Sequence, residues 1–128
     1  FDATKPDAVR HFFDGLGPFD HLVLAASGGK GLGPFATLDL ADIGGGVDEK
    51  IKPQLGCLQA ALPTLNKAGS VTFISAVSAQ IAAPGIAGIG AINGMLLTVV
   101  PILAVELKPL RVNVVAPGVI DTPWWDFL

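Results

Sequence analysis

The chain has 128 residues, a length that suits one domain built on one hydrophobic core. Hydrophobic residues make up 51% and charged residues only 15%, with a formal net charge of -3, which excludes a disordered chain and an electrostatic nucleic-acid binder and points to no polyanionic partner. The single cysteine, Cys57, excludes an internal disulfide framework and fits a reducing, cytoplasmic compartment.

The chain opens on Phe1 rather than methionine, and residues 1–3 read as the tail of a strand that begins upstream. Thr4, with Asp7 three residues on, predicts an N-cap. Val9, Phe12, Phe13 and Leu16 recur at helical spacing, and Gly15 and Gly17 stop that helix. Residues 20–26, DHLVLAA, follow as an apolar strand expected to be buried on both faces. The glycine cluster of residues 27–33, SGGKGLG, offers backbone N–H groups of the kind that cradle phosphates. It reads better as a flexible strand-to-helix loop, because residues 34–40 are irregular and no helix starts directly after it.

Residues 41–65 read as a helix with Ile51, Leu55, Leu58, Leu62 and Leu65 on one face, which Pro53 should kink or deprive of one hydrogen bond. Residues 70–75, SVTFIS, are the next buried strand, and residues 76–84 a loop. Residues 85–107 form a long apolar helix broken at Pro101, and residues 111–116 the last strand, which Pro117 and Gly118 end. Strands alternating with helices predict parallel βαβ units with right-handed crossovers, an α/β fold. Residues 81–105 carry no charge and are long enough to span a bilayer, with Gly90 and Gly94 as a Gly-x-x-x-Gly pair. Pro84, Gly85, Gly88, Asn93 and Pro101 interrupt the run and no basic cluster flanks it, so it reads as a buried helix rather than a membrane span. His11 and His21 have no partner at metal-ligand spacing and read as surface or structural residues.

The order of these elements, with SVTFIS, LAVEL at residues 103–107 and RVNVVAPGVIDTP at residues 111–123, resembles the C-terminal two thirds of a short-chain dehydrogenase/reductase core. The resemblance runs from Asp2 to Trp125. It implies a three-layer, Rossmann-like, doubly wound parallel sheet with helices on both faces. It implies NAD or NADP as cofactor, NADP being the first choice, although the residues that read the ribose 2′ position precede Phe1. The family's glycine-rich phosphate loop and first two strands also belong before Phe1, and its substrate-shaping segment after Trp125. Residues 1–128 are therefore expected to be a single, incomplete dinucleotide-binding domain that holds the cofactor poorly on its own.

Residue by residue, the resemblance gives Asp2 to the adenine and the backbone of Ala25 and Ala26 to the adenosine ribose. Leu24, Ala25, Ala26 and Ser27 stand where the family has Asn-Asn-Ala-Gly. Pro117, Gly118, Val119, Ile120 and Thr122 match the loop that holds the nicotinamide, the threonine hydroxyl reaching a phosphate. The family's acid is a tyrosine, with a lysine four residues later and a serine thirteen residues earlier. This chain has no tyrosine. Ile89 stands at the tyrosine, Asn93 at the lysine, Ala76 at the serine, and Lys50 at a structural asparagine on the preceding helix. Lys50, Ser78 and Asn93 are the candidate substitutes, with Ser75 beside them, and each also has an ordinary structural reading. Trp124 and Trp125 are read either as the first wall of the substrate pocket or as exposed ends of a cut chain.

Two classes of function follow: an oxidoreductase with an atypical active site acting on a small-molecule carbonyl or alcohol, or a catalytically silent dinucleotide-binding or subunit-pairing protein. The resemblance also implies a homodimer or homotetramer formed through residues 41–65 and 85–107, where Gly90 and Gly94 would let helices approach closely.

Overall fold

The structure, a computed structural model, describes residues 1–123; Trp124 and Trp125, with both readings of them, lie outside the described residues. The elements in order are α1 (Pro6–Asp14), β1 (Phe19–Leu24), α2 (Ala41–Gly46), a π-helical turn (Val47–Ile51), α3 (Lys52–Ala61), β2 (Leu65–Ile74), α4 (Ala87–Glu106) and β3 (Arg111–Val115). Short 3-10 turns at Phe35–Thr37 and Val77–Ala79 punctuate the loops.

The three strands form one parallel sheet in the order β1-β2-β3. Leu22 and Leu24 pair with Val71 and Phe73, which pair in turn with Val112 and Val114. These six side chains share one face of the sheet, because side chains alternate along a strand. Right-handed crossovers put the helices on that same face, and there Phe73, Leu96, Val71 and Val100 are fully buried. Each such burial contributes about 1.5–3 kcal/mol. On the opposite face His21, Val23, Arg111, Asn113 and Val115 are exposed. The α/β, Rossmann-like class is as expected; a second helical layer is not among the described residues.

Several local expectations are corrected. Thr4 does not cap α1, because its N–H and hydroxyl both donate to Asp2 Oδ1, at 2.9 and 2.7 Å, in a turn that precedes Pro6. That turn also replaces the strand expected at residues 1–3. β1 is not buried on both faces: it is an edge strand of the described sheet, and Val23 is 66% exposed. The helix expected over residues 41–65 ends at Ala61, where Pro63 offers no N–H and Thr64 N–H turns back to Ala61 O at 3.0 Å. Leu65 then starts β2 opposite Phe19, and a register shift separates that pair from His21 opposite Ser70. At Pro53 the helical run continues: the proline is the second residue of α3, separated from the π turn by Lys52, and it brings no N–H to the helical ladder. α4 runs unbroken through Pro101, which sits on the exposed side of the helix and brings no N–H for the Leu97 carbonyl.

By length and composition α4 could cross a membrane, with a mean hydropathy of 2.0 over its best window. Here it lays Gly88, Ile92, Asn93, Leu96 and Val100 inward and leaves Met95, Ile102 and Val105 exposed.

The carboxyl ends of the strands are tied to each other. Gln54, fully buried on α3, donates from Nε2 to Ala26 O at 2.8 Å and to Ile74 O at 3.2 Å, joining the ends of β1 and β2. Ser75 N–H donates to Val115 O and Val77 N–H to Pro117 O, both at 2.8 Å, joining the ends of β2 and β3. Loops held in this way present a fixed crevice where an open α/β sheet receives its ligands.

Candidate active site

Beyond those tied ends lies a cleft of about 350 Å³. The glycine loop and the π turn form one side, the segment after β2 and the first turns of α4 another, and Pro117, Gly118 and Val119 close it. Ile81, Ile86, Ile89 and Ile92 give it an apolar lining. Lys50, Ser75, Ser78 and Asn93, separated in sequence by up to forty-three positions, bring polar side chains to it, with Ser27 and Lys30 on the glycine-loop side.

Lys50 is 6% exposed. The π turn projects it inward, so that its Nζ donates to Ser75 O at 3.4 Å. Its neighbours Asp48 and Glu49 pair elsewhere, with Lys52 at 2.6 Å and with Lys30 at 3.3 Å, so no carboxylate among the described residues pairs with Lys50. Burial without a counter-charge holds its pKa below the 10.5 of a free lysine. Asn93 is 1% exposed; its Nδ2 donates to Ser78 Oγ at 3.0 Å, its backbone O accepts from Ser75 Oγ at 2.9 Å, and its Oδ1 has no partner among the described residues. A buried amide oxygen without a donor costs about 1–3 kcal/mol. Ile89 and Ala76 also face the cleft, one turn and one loop from Asn93.

The remaining residues expected to hold a dinucleotide are not part of this cleft. Asp2, Ala25, Ala26, Ile120 and Thr122 do not line it. Asp2 is fully exposed, with its carboxyl held below its usual range by the bonds from the Thr4 hydroxyl and N–H. Ala26 O is taken by Gln54. His21 pairs through Nδ1 with Ser70 Oγ at 2.9 Å on the open sheet face, and His11 is exposed on α1. Among the described residues no group of His, Cys, Asp and Glu is placed to hold a metal ion.

The glycine loop is not the flexible connector expected of it. Gly31, at φ +89, accepts from Ile89 N–H at 2.9 Å, and Gly33 N–H donates to Gly85 O at 2.8 Å. The loop is a clamp on the start of α4, and the Gly33 N–H is spent on it rather than offered to a phosphate. A Cβ on Gly88 would lie 2.7 Å from Gly31 O and 2.9 Å from Leu38 Cδ2. Gly88→Ala is therefore expected to destabilise the protein by about 1–3 kcal/mol, measured from its urea unfolding midpoint. Gly90 serves a similar contact, since a Cβ there would lie 2.8 Å from Ser78 O. Its use is internal, and only Gly94 of the pair faces open space.

Gln54, the π turn and the loop clamp were not anticipated. Gln54 did carry a signal: it lies three residues after Ile51 and four before Leu58, on the apolar face of its helix.

A family model described as enoyl-(acyl carrier protein) reductase matches residues 1–128, the whole chain. The chain belongs to the short-chain dehydrogenase/reductase family. Among solved members, a small-chain dehydrogenase in complex with NADPH superposes with a TM-score of 0.92 at 25% identity, over 100% of this chain and 58% of its own. A short-chain dehydrogenase/reductase from Brucella melitensis, named as a glucose/ribitol dehydrogenase, gives 0.88 at 28% identity over 99% and 54%. Tropinone reductase-like 3 of Erythroxylum coca is 37% identical over 79 residues, 61% of this chain and 31% of that protein. The chain thus spans less than two thirds of the relatives it matches. Within the short-chain dehydrogenase/reductase frame, the cleft lies beyond the carboxyl ends of the strands, with Ile89, Asn93 and Ala76 on its wall and Lys50 opposite the segment after β2.

Proposed function

We propose that the protein is an NAD(P)-dependent oxidoreductase that moves hydride between a nicotinamide and a small carbonyl or alcohol, with Lys50 as the proton donor in place of the family's tyrosine. The observation that carries this reading is the convergence of Lys50, Ser78, Asn93 and the Pro117, Gly118 and Val119 backbone on one cleft. That backbone, beside an apolar wall, fits a flat carboxamide ring; NADP is the favoured form, in keeping with the NADPH-bound relative. When bound, the dinucleotide supplies or accepts the hydride. Thr122 would meet its phosphates, Asp2 its adenine, and the backbone of Ala25 and Ala26 its ribose; Val119 and Ile120 would flank the ring.

Lys50 Nζ then gives its proton to the oxygen on which charge develops, while the Ser78 hydroxyl, held by Asn93 Nδ2, donates to the same oxygen. A lysine whose pKa is lowered by burial is a stronger acid than a surface lysine, which suits it to this transfer. The test is consumption of NADPH by the intact protein over a panel of aldehydes and ketones. A second reading, a silent dinucleotide-binding protein, is supported by the inert Ile89, Asn93 and Ala76 at the usual catalytic positions. Tight NADPH binding without turnover of any carbonyl would establish it.

The assembly proposed is a homodimer or homotetramer through residues 41–65 and 85–107, in the cytoplasm, where Cys57 stays reduced. Ile102 and Val105, 52% and 65% exposed on α4, are the apolar residues such a contact would cover, with Gly94 open beside them. Ile102→Glu would set two like charges against each other in a symmetric contact, at a cost of several kcal/mol. Light scattering is expected to show the variant as a monomer at concentrations where the unaltered protein is paired.

A further inference from the structure

Lys50 can do more in this cleft than give up a proton. Its amine is buried, lines an apolar cavity, and has a single long hydrogen bond to a backbone carbonyl as its contact among the described residues. A lysine engaged in structure normally spends its charge on a carboxylate; here Glu49 turns to Lys30 and Asp48 to Lys52. The walls around it, Ile81, Ile86, Ile89 and Ile92, suit the hydrocarbon body of a short aliphatic compound, and the other amine on the cleft, Lys30, is paired with Glu49 at 3.3 Å. Ser75 and Ser78 place hydroxyls on the same cleft.

We infer that Lys50 is a carbonyl-capturing amine, which condenses reversibly with small aliphatic aldehydes or ketones in the cleft to form an imine. In the first step the neutral amine adds to the carbonyl carbon and one of its protons moves to the oxygen, giving a carbinolamine. In the second the C–O bond breaks and the remaining N–H proton leaves with the hydroxyl as water, so that one amine and one carbonyl yield one imine and one water. No redox partner is needed. The Ser78 hydroxyl, supported by Asn93, is placed on the cleft wall to assist the departing oxygen. The lowered pKa of Lys50 leaves more of its amine neutral than is the case for a lysine in water. The capture requires the cleft and the amine but no dinucleotide, so it goes beyond the hydride-transfer reading and stands or falls separately from it.

The test is reductive trapping. The intact protein, without dinucleotide, is incubated with isobutyraldehyde and sodium cyanoborohydride near neutral pH, and alkylation is read lysine by lysine by peptide mass mapping. Despite being the least exposed, Lys50 is expected to be alkylated at least ten times faster than the surface lysines Lys5, Lys52, Lys67 and Lys108, and faster than Lys30, which lines the cleft but is paired with Glu49. Ile89→Trp, which fills the cleft and keeps the amine, is expected to remove that advantage while surface labelling is unchanged. Labelling of Lys50 at or below the rate of the surface lysines would overturn the inference, as would fast labelling that survives in Ile89→Trp. Failure here with NADPH turnover intact would leave hydride transfer standing, and the reverse outcome would leave capture standing.

Discussion

A protein carrying Lys50→Asn, Ala76→Ser, Ile89→Tyr and Asn93→Lys together is expected to reduce carbonyl compounds with NADPH at least about 100-fold faster than one carrying Lys50→Asn alone, the lower end of what a positioned general acid contributes. Ile89 and Asn93 are four residues apart on α4 and both line the cleft, so a hydroxyl and an ammonium placed there share one helix face. Ala76 has extended backbone that any residue adopts, and it lines the same cavity. The four changes belong together for an electrostatic reason. Asn93→Lys alone would bury a second cation in the cleft that already holds Lys50, with no carboxylate among the described residues to offset either. A buried, uncompensated charge costs about 3–5 kcal/mol. Adding Lys50→Asn removes the conflict, and the Ser75 Oγ bond survives because its acceptor is the backbone O at position 93. Steady-state NADPH consumption checks the result. A fourfold variant that folds, binds NADPH and turns over no faster than Lys50→Asn alone would show that this cleft is not where hydride transfer takes place.

The alternation of strands and helices was legible because it depends on local signals: apolar runs, helical spacing and the punctuation of Pro and Gly. Boundaries were less so where tertiary contacts decide them. Leu65 continues the apolar periodicity of the helix before it, but pairing with Phe19 draws it into β2. Residues 22–26 are apolar throughout, which on periodicity alone means burial on both faces, whereas only one face of the described sheet is covered. The convergence of Lys50, Ser75, Ser78 and Asn93 was legible only through the family resemblance, since nothing local connects residue 50 to residue 93. The glycine loop shows the limit most clearly. Its composition speaks of freedom, and its function in the fold is contact: Gly31 and Gly88 are small because two backbones meet there. Which of those two demands a glycine answers cannot be read from the glycine itself.

Lys50→Met is expected to give a protein that is more stable and less active at once. Methionine fills a similar volume without an amine, so the protein no longer desolvates a charge against one 3.4 Å hydrogen bond. The gain near neutral pH is expected to be about 1–3 kcal/mol by urea unfolding. Its pH dependence has a definite sign. The folded pKa of Lys50 lies below 10.5 because of burial, so between that lowered value and 10.5 the unfolded chain binds more protons than the folded one. Stability of the unaltered protein therefore rises with pH across this window, and the penalty is at its full size below it. The advantage of Lys50→Met is accordingly largest at neutral pH and shrinks as the pH climbs toward 10.5. Turnover of NADPH is expected to fall by at least about 100-fold, the loss of a positioned proton donor. An exposed lysine would change neither quantity appreciably, and a buried lysine kept only for structure would lower stability when replaced. A gain in stability coupled to a loss of activity is what a functional group held at the fold's expense produces.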